Sequence, residues 1–520
     1  MDRLTEGTNP RVNASRAKAL EALQNHNIPA AIRQLHKAAS LQPNNPELWH
    51  ELAECYWATY EFDKALETYE TSFAHAASVR TCHLAAKKLF TIARFDASAR
   101  WLNRALALAP DDPELLIMLG EIHDRSNNLV AAQEHASRAL SRAPLSVKAV
   151  RLTAHLDRRL GRLDEARARL QNHLAKSPGP EDWRLHYELA AVLDKMADYA
   201  NAMQHLFKAK DQLRPHAATF VHQAQAIRHR QTELGRLLQR SDFNNWQKQC
   251  SRTKHPPVVF LCGHPRSGTT LLEQILDSHD QVVTTDETGV LMKEFVEPII
   301  RQPATAESSL AELRSFTPAE LKRGRSAYLR FTEAHLGEPV HSRLLVEKDP
   351  SLTPDLPIAL RLFPQASVIF PLRDPRDVCI SYFFTLIPLA VTSAASLDLQ
   401  ITAESCAHSL AMWEQWKSNL PMPLYESRYE TLVNDPDAES RKLLEFLQLP
   451  WAAKLLSFHS RSKAIRTPTY ADLAQPIHQK AVGRWRNYEK FLRPHLSLLD
   501  PHLRNFGYES RPPKSIAVRG

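Results

Sequence analysis

The sequence predicts an α-helical repeat region followed by an α/β domain with a parallel sheet. Three observations lead to this. Only 13 of the 520 residues are glycine, a short motif recurs at almost constant spacing in the first half, and short apolar runs alternate with helical segments in the second. Average glycine content is about 7 per cent, and few glycines with many alanines and leucines favour helix. The scarcity argues against an all-β protein, which needs many tight turns.

The overall composition is that of an ordinary globular protein, with 43% hydrophobic and 24% charged residues, and it excludes wholesale disorder. No apolar run approaches the roughly 18 residues of a membrane span. The polar segment Met1 to Ala14 does not resemble a secretory signal. We therefore expect a cytoplasmic protein without a membrane partner. The six cysteines form no CxxC pair and no HExxH motif occurs, so we expect no metal.

The repeat motif is a large apolar residue followed three positions later by a small one. Its members are 34, 33, 34, 34 and 36 residues apart: Ile28/Ala31, Phe62/Ala65, Phe95/Ser98, Leu129/Ala132, Leu163/Ala166 and Tyr199/Ala202. Prolines 110, 144 and 178 share the 34-residue period and lie where a second helix should end. These segments resemble tetratricopeptide repeats, which stack into a superhelix. The resemblance implies a protein or peptide partner, with a scaffold or a homodimer surface as the alternative.

We place the repeat array at residues 10–213 and a helical linker at 214–255, because the polar stretch from Ser241 ends in Pro256-Pro257. The basic residues between Arg228 and Arg240 are interpreted as a solvated helix face. Nucleic acid is not expected as a partner, because the interleaved aromatic residues of single-strand binders are missing. The α/β domain then spans 256–510, with a tail at 511–520.

The α/β domain begins with a candidate phosphate-binding loop. A buried strand at 258–262 leads into Gly263-His264-Pro265-Arg266-Ser267-Gly268 and then a helix from Thr269. Backbone N–H groups of such a loop and of the helix N-terminus bind anions. The lysine that would follow Gly268 in a nucleoside-triphosphate loop is missing, and Arg266 supplies the cation instead. This pattern favours a 5′-phosphate with an attached group and argues against a kinase-like enzyme.

Further strands bring charged residues to the same edge of the sheet. Asp286-Glu287 follow Val282-Val283, a strand from Leu344 runs into Glu347-Lys348-Asp349, and a strand at 367–372 ends in Arg373. Carboxyl ends of neighbouring parallel strands face the ligand crevice in open α/β sheets. We also predict that Thr353 caps a helix running to about Phe363.

Two of these segments resemble motifs of sulfotransferases that use 3′-phosphoadenosine 5′-phosphosulfate (PAPS). PRSGTTLLEQIL at 265–276 resembles their 5′-phosphosulfate loop, and RDPRDVCIS at 373–381 resembles their 3′-phosphate motif. The chain resembles tyrosylprotein sulfotransferases and fusions of tetratricopeptide repeats with a sulfotransferase domain. The resemblance implies PAPS as donor, adenosine 3′,5′-bisphosphate as product and no metal.

The resemblance also implies roles for individual residues. Tyr429 falls in a block similar to one that contacts the donor, Thr469 falls where the tyrosylprotein family has a serine, and Arg484 falls where it has a lysine. The cofactor-binding set it implies is Arg266, Ser267, Gly268, Thr269, Thr270, Arg373, Ser381, Tyr429, Thr469 and Arg484.

For catalysis, the resemblance implies Glu287 as the base, with Lys348 and Arg266 as the stabilising cations. The chemistry requires a base for the acceptor proton and a cation for charge developing on the leaving oxygen. His264 is the rival base. The predicted activity is sulfuryl transfer to a hydroxyl group, with a protein or peptide tyrosine engaged through the repeats as the first choice. Small-molecule, carbohydrate or lipid hydroxyls, or an inactive repeat scaffold, are the alternatives.

Overall fold

A computed structural model of the chain describes residues 9–250, 256–301, 305–386, 388–460 and 475–508. The chain divides into two compact units. One contains the residues up to Leu156 together with Glu333–Glu338, and the other contains Asp157–Thr332 and the residues from Pro339 onward. The predicted domain boundaries at 213/214 and 255/256 are not tested by this division and stay predictions.

The first part of the chain consists of antiparallel helix pairs. Twelve helices follow one another: α1 Pro10–Gln24, α2 Ile28–Leu41, α3 Pro46–Ala58, α4 Phe62–His75, α5 Val79–Thr91, α6 Phe95–Leu108, α7 Pro113–Arg125, α8 Leu129–Arg142, α9 Val147–Arg159, α10 Leu163–Lys176, α11 Trp183–Lys195 and α12 Tyr199–Leu213. The second helix of every pair begins at the large apolar residue of the motif, so the predicted helical repeats are confirmed.

Small residues allow neighbouring helices of the array to approach closely. A methyl group added at Gly120 in α7 would lie 2.8 Å from Leu152 Cδ2 of α9, inside the van der Waals limit. Ala132 and Ala136 of α8 are fully buried in the same cluster. The prolines at the repeat ends lie two residues beyond the last residues of α2, α6, α8 and α10.

Two further helices precede the sheet, α13 Ala218–Leu237 and α14 Arg240–Cys250. The polar stretch that begins at Ser241 is therefore mostly helix. Phe243 and Trp246 are buried there with ring centroids 5.1 Å apart, and Asp242 pairs with Arg314 at 2.8 Å. Helix α14 therefore has a buried aromatic face and an ion pair to Arg314.

The second part contains a five-stranded parallel sheet with the order β2-β3-β1-β4-β5. Its strands are β1 Val258–Leu261, β2 Val282–Thr284, β3 Leu344–Lys348, β4 Ser367–Leu372 and β5 Leu424–Arg428. The accompanying helices are α15 Thr269–Asp277, α16 Glu297–Ile300, α17 Ala306–Ser315, α18 Pro318–Leu336, α19 Leu356–Leu362, α20 Pro375–Phe383, α21 Leu399–Asn419, α22 Tyr429–Asn434, α23 Pro436–Phe446, α24 Glu489–Leu492 and α25 Leu496–Asn505. This α/β architecture after the helical repeats is the fold class that the sequence predicts.

The predicted cap at Thr353 is wrong. Asp349 caps instead, accepting from the N–H of Ser351 at 2.8 Å, and opens a short 3₁₀ helix, Pro350–Asp355, before α19. The Thr353 hydroxyl donates to the carbonyl oxygen of Gly263 at 2.7 Å. The Thr353 side chain therefore makes a long-range hydrogen bond to the loop after β1. It does not make the local helix-capping bond that the sequence predicts.

Among the helices in the described part of the chain, none is both long and apolar enough to cross a membrane. The cytoplasmic location and the homodimer stay predictions.

Candidate active site

The loop after β1 has the backbone geometry of an anion-binding turn. Gly268 has φ +103° and Arg266 has φ +77°, a region that L-residues other than glycine rarely adopt. A side chain at Gly268 would also meet the Tyr429 ring at 2.7 Å. Glycine is therefore required at 268, and the Tyr429 ring lies against the loop. The contact of Tyr429 with the donor stays a prediction. Helix α15 begins at once with Thr269 and Thr270, so its first N–H groups point to the loop.

Three predicted donor-binding side chains from distant parts of the sequence converge on this loop. Arg266 Nε donates to Ser381 Oγ at 3.0 Å. Arg373 Nη1 donates to the carbonyl oxygen of Arg266 at 2.9 Å, and its guanidinium lies 4.6 Å from the centroid of the Tyr429 ring. We call Arg266, Arg373, Ser381 and Tyr429 the anion cluster. The central position of β1 beside β4 produces it, because Arg266 follows β1 and Arg373 follows β4.

Two buried polar atoms of this region form no hydrogen bond within the described part of the chain. Ser267 Oγ and Arg373 Nε are buried and have no hydrogen-bond partner among the described residues. Buried polar atoms are normally paired, and a hydroxyl and a guanidinium N–H are both donors to phosphate. The residues present therefore fit a phosphate-bearing ligand.

On the other side of β1, a lysine lies between two carboxylates. Lys348 ends β3 and is fully buried, and its Nζ lies 2.5 Å from Glu287 Oε1 and 3.3 Å from Glu273 Oε2. Burial by itself lowers the pKa of a lysine, but the carboxylates of Glu273, Glu287 and Asp286 outweigh it and raise the pKa of Lys348. We call Glu273, Glu287 and Lys348 the proton-transfer cluster.

Glu287 is the accessible member of this cluster, since its side chain is 37% exposed whereas those of Lys348 and Glu273 are 0% exposed. Its backbone is in the left-handed region at φ +56°, as is Asp286 at φ +47°. Such conformations of non-glycine residues persist where the surroundings hold them. Here the N–H of Asp286 donates to Glu273 Oε1 at 2.9 Å.

Sequence reasoning missed Glu273. Its carboxylate contacts both Lys348 and the turn that carries Glu287, and it belongs to helix α15, which follows the loop after β1. The sequence feature that could have indicated Glu273 is an acidic residue within the largely apolar helix TTLLEQILD, beside the buried residues Leu272 and Ile275. A buried acid is unusual unless it is paired, and this one is paired with Lys348.

His264, the rival base, is buried at 6% exposure. Its Nδ1 lies 2.8 Å from the carbonyl oxygen of Pro265, and burial lowers its pKa to about 4. The ring packs edge-on against Tyr382, with centroids 5.3 Å apart. These contacts describe an enclosed neutral histidine.

Two remaining predicted positions differ in outcome. Thr469 lies outside the described residues. Arg484 pairs with Asp194 of α11 at 2.9 Å and covers the Phe384 ring at 4.5 Å. Its guanidinium is therefore engaged by the last repeat pair before the linker, α11–α12, next to helix α20, which carries Ser381.

Models of known protein families match both parts of the chain. Residues 257–453 match the model of the sulfotransferase family, and residues 22–79 and 84–147 match models of the tetratricopeptide repeat.

Similar individual proteins come from bacteria and animals. An uncharacterized protein of Aquifex aeolicus is 26% identical over 75% of this chain, and the match spans 55% of that protein's length, so the chain corresponds to about half of it. Protein-tyrosine sulfotransferase 1 of Danio rerio is 26% identical over 49% of this chain and 73% of its own length. The human protein of the same name is 27% identical over 49% of this chain and 70% of its own length.

The chain therefore joins tetratricopeptide repeats to a domain that belongs to the sulfotransferase family.

Proposed function

We propose that this protein transfers the sulfuryl group of PAPS to an acceptor hydroxyl, most readily that of a tyrosine in a protein or peptide. The observation that carries the proposal is the placement of the anion cluster and the proton-transfer cluster at one edge of one sheet, on either side of β1. Phosphate recognition and proton transfer are the two functions that sulfuryl transfer requires of a protein.

PAPS, when bound, supplies an activated sulfuryl group between a 5′-phosphate and the acceptor. Arg266, Ser267 and the N–H groups of Thr269 and Thr270 would hold its 5′ end. Arg373 and Ser381 would hold its 3′-phosphate. Ser267 Oγ and Arg373 Nε, for which the described residues offer no hydrogen-bond partner, would provide the donors, and a guanidinium is well shaped to bind phosphate oxygens in pairs.

Glu287 would accept the acceptor proton at its carboxylate, because it is the exposed member of the proton-transfer cluster. Lys348 would place a positive charge at the oxygen that leaves. A lysine with a raised pKa stays charged throughout the neutral range, so it stabilises negative charge without giving up its proton.

Glu273 would keep Lys348 charged while Glu287 takes up a proton. When Glu287 becomes neutral, Lys348 loses one of its two neighbouring negative charges. Glu273 lies 3.3 Å from Lys348 Nζ and is fully buried, so it retains the second one.

A tyrosine in a protein or peptide is favoured as acceptor by two features. The relatives from Danio rerio and human are named protein-tyrosine sulfotransferases, and stacked helical repeats form extended surfaces that bind proteins.

Calorimetry tests the donor. The full chain should bind adenosine 3′,5′-bisphosphate at least about a hundredfold more tightly than ATP, since two phosphate sites are engaged instead of one. A preference for ATP would refute the sulfotransferase proposal.

A transfer assay tests the acceptor. Radiolabelled sulfate from PAPS should appear on tyrosine-containing members of a peptide library and not on the same peptides with phenylalanine. Label on small-molecule, carbohydrate or lipid hydroxyls instead would contradict the tyrosine assignment, and no transfer despite bisphosphate binding would indicate an inactive scaffold.

A further inference from the structure

The repeat pair α11–α12 contacts the sulfotransferase-family domain beside the anion cluster. Asp194 of α11 accepts a hydrogen bond from the hydroxyl of Tyr488 and pairs with Arg484 at 2.9 Å. Both partners belong to residues 481–488, which we call the clamp segment. Tyr488 is fully buried, and its ring centroid lies 5.4 Å from that of Tyr199 in α12.

The other side of the clamp segment contacts the anion cluster. Arg373 Nη2 donates to the carbonyl oxygen of Ala481 at 2.6 Å. The N–H groups of Gly483 and Trp485 donate to Asp377 at 2.7 and 2.8 Å. Asp377 lies in α20, the helix that also carries Ser381. The clamp segment therefore supplies one of the two carbonyl oxygens that orient the Arg373 guanidinium.

A second set of contacts ties the same repeat pair to α20. Lys210 of α12 is fully buried and donates to the carbonyl oxygen of Ser396. Its Nζ lies 4.2 Å from the centroid of the Phe383 ring, and the Phe207 and Phe383 centroids are 5.9 Å apart. The repeat pair thus packs against α20 at the end that follows Ser381.

We propose that Asp194 is a positioning residue for the 3′-phosphate site, so that the repeat pair α11–α12 is a structural part of donor recognition. Asp194 holds Arg484 and Tyr488, these fix the clamp segment, and the clamp segment orients Arg373. This inference rests on the proposed function, because it assumes that Arg373 meets the 3′-phosphate of PAPS.

The test compares two nucleotides that differ only in the 3′-phosphate, adenosine 3′,5′-bisphosphate and adenosine 5′-monophosphate, by calorimetry on the full chain. Asp194→Asn keeps the size of the side chain and removes its charge. We expect about tenfold weaker binding of the bisphosphate, the effect of losing one charged hydrogen bond, and little change for the monophosphate. Asp194→Glu should recover most of the affinity.

Glu181→Gln is the matched control, because Glu181 is an exposed acid just before α11 and should leave both affinities unchanged. Tyr488→Phe removes only the hydroxyl and should weaken bisphosphate binding about threefold, which keeps the test decisive if Asp194→Asn fails to fold. Equal losses for both nucleotides, no loss, or tighter bisphosphate binding in Asp194→Asn and Tyr488→Phe would overturn the inference. A wild-type protein that does not distinguish the two nucleotides would instead overturn the proposed function.

Discussion

The two clusters at the sheet edge hold their cations differently. In the anion cluster, Arg266 donates to a hydroxyl and Arg373 donates to two backbone carbonyl oxygens. In the proton-transfer cluster, Lys348 lies between two carboxylates. Neutral acceptors orient a cation without offsetting its positive charge, so that charge stays available to a ligand. Carboxylates offset the positive charge and raise the pKa of the group, which keeps it protonated. The difference predicts that variants of the first cluster change binding and variants of the second change turnover.

The largest expected effect is that of Glu287→Gln. Loss of the base should lower kcat by about 10²- to 10⁴-fold, while affinity for adenosine 3′,5′-bisphosphate stays the same. Sulfate transfer and calorimetry measure the two quantities, with the exposed Glu307→Gln as control. Unchanged turnover in Glu287→Gln, with binding abolished in Arg373→Ala, would show that Glu287 is not the base.

Lys348→Met should lower kcat by about 10²- to 10³-fold, the usual effect of removing one group that stabilises developing charge. Retained bisphosphate binding would show that the variant is folded. The exposed Lys322→Met serves as control. If Lys348→Met raised KM and left kcat unchanged, Lys348 would contribute to binding. The two clusters would then not separate binding from turnover.

Arg373→Ala should weaken bisphosphate binding by about 10- to 100-fold, because charged hydrogen bonds to the ligand are lost. Residual turnover at saturating donor should stay within about tenfold of wild type. Arg323→Ala, an exposed arginine in α18, is the comparison. A kcat loss as large as that of Glu287→Gln would mean that the two clusters do not act separately.

The smallest effect is expected for Glu273→Gln, a loss in kcat of about three- to tenfold at neutral pH. Its pH dependence is the sharper measurement. Glu273 raises the pKa of Lys348, so its removal lowers that pKa, and Lys348 loses its proton at a lower pH. The alkaline limb of the kcat profile should therefore move to lower pH than in wild type. An unmoved limb would contradict the role of Glu273.

The repeats and the strands were predictable because their signals are local. The motif from Ile28 to Tyr199 marks the first residue of each second helix, and the run Ser367–Leu372 is a strand with the predicted bounds. Apolar spacing and breaker residues act over a few positions, so one sequence suffices to find them.

The errors occurred where distant contacts override local preference. Thr353 has the chemistry of a helix cap but bonds to the Gly263 carbonyl oxygen. Glu273 looks like one acid in a helix but pairs with Lys348, which is 75 positions away in the chain. Spacing along the sequence contains no information on such pairs unless a known motif includes them.

The sequence by itself determined the order of helical repeats and α/β domain, the position of the glycine-containing loop after β1, and the identity of the charged residues after each strand. The tertiary structure alone decided how those charges are partnered. The strand order puts Arg373 on one side of the loop and Lys348 on the other. Folding then gives Lys348 two carboxylates, Arg373 two carbonyl oxygens, and Arg484 a partner in a repeat helix. The partners of a charged side chain are the groups that lie next to it in the folded protein. Because parallel strands bring together residues that are far apart in the chain, the sequence does not reveal these partners.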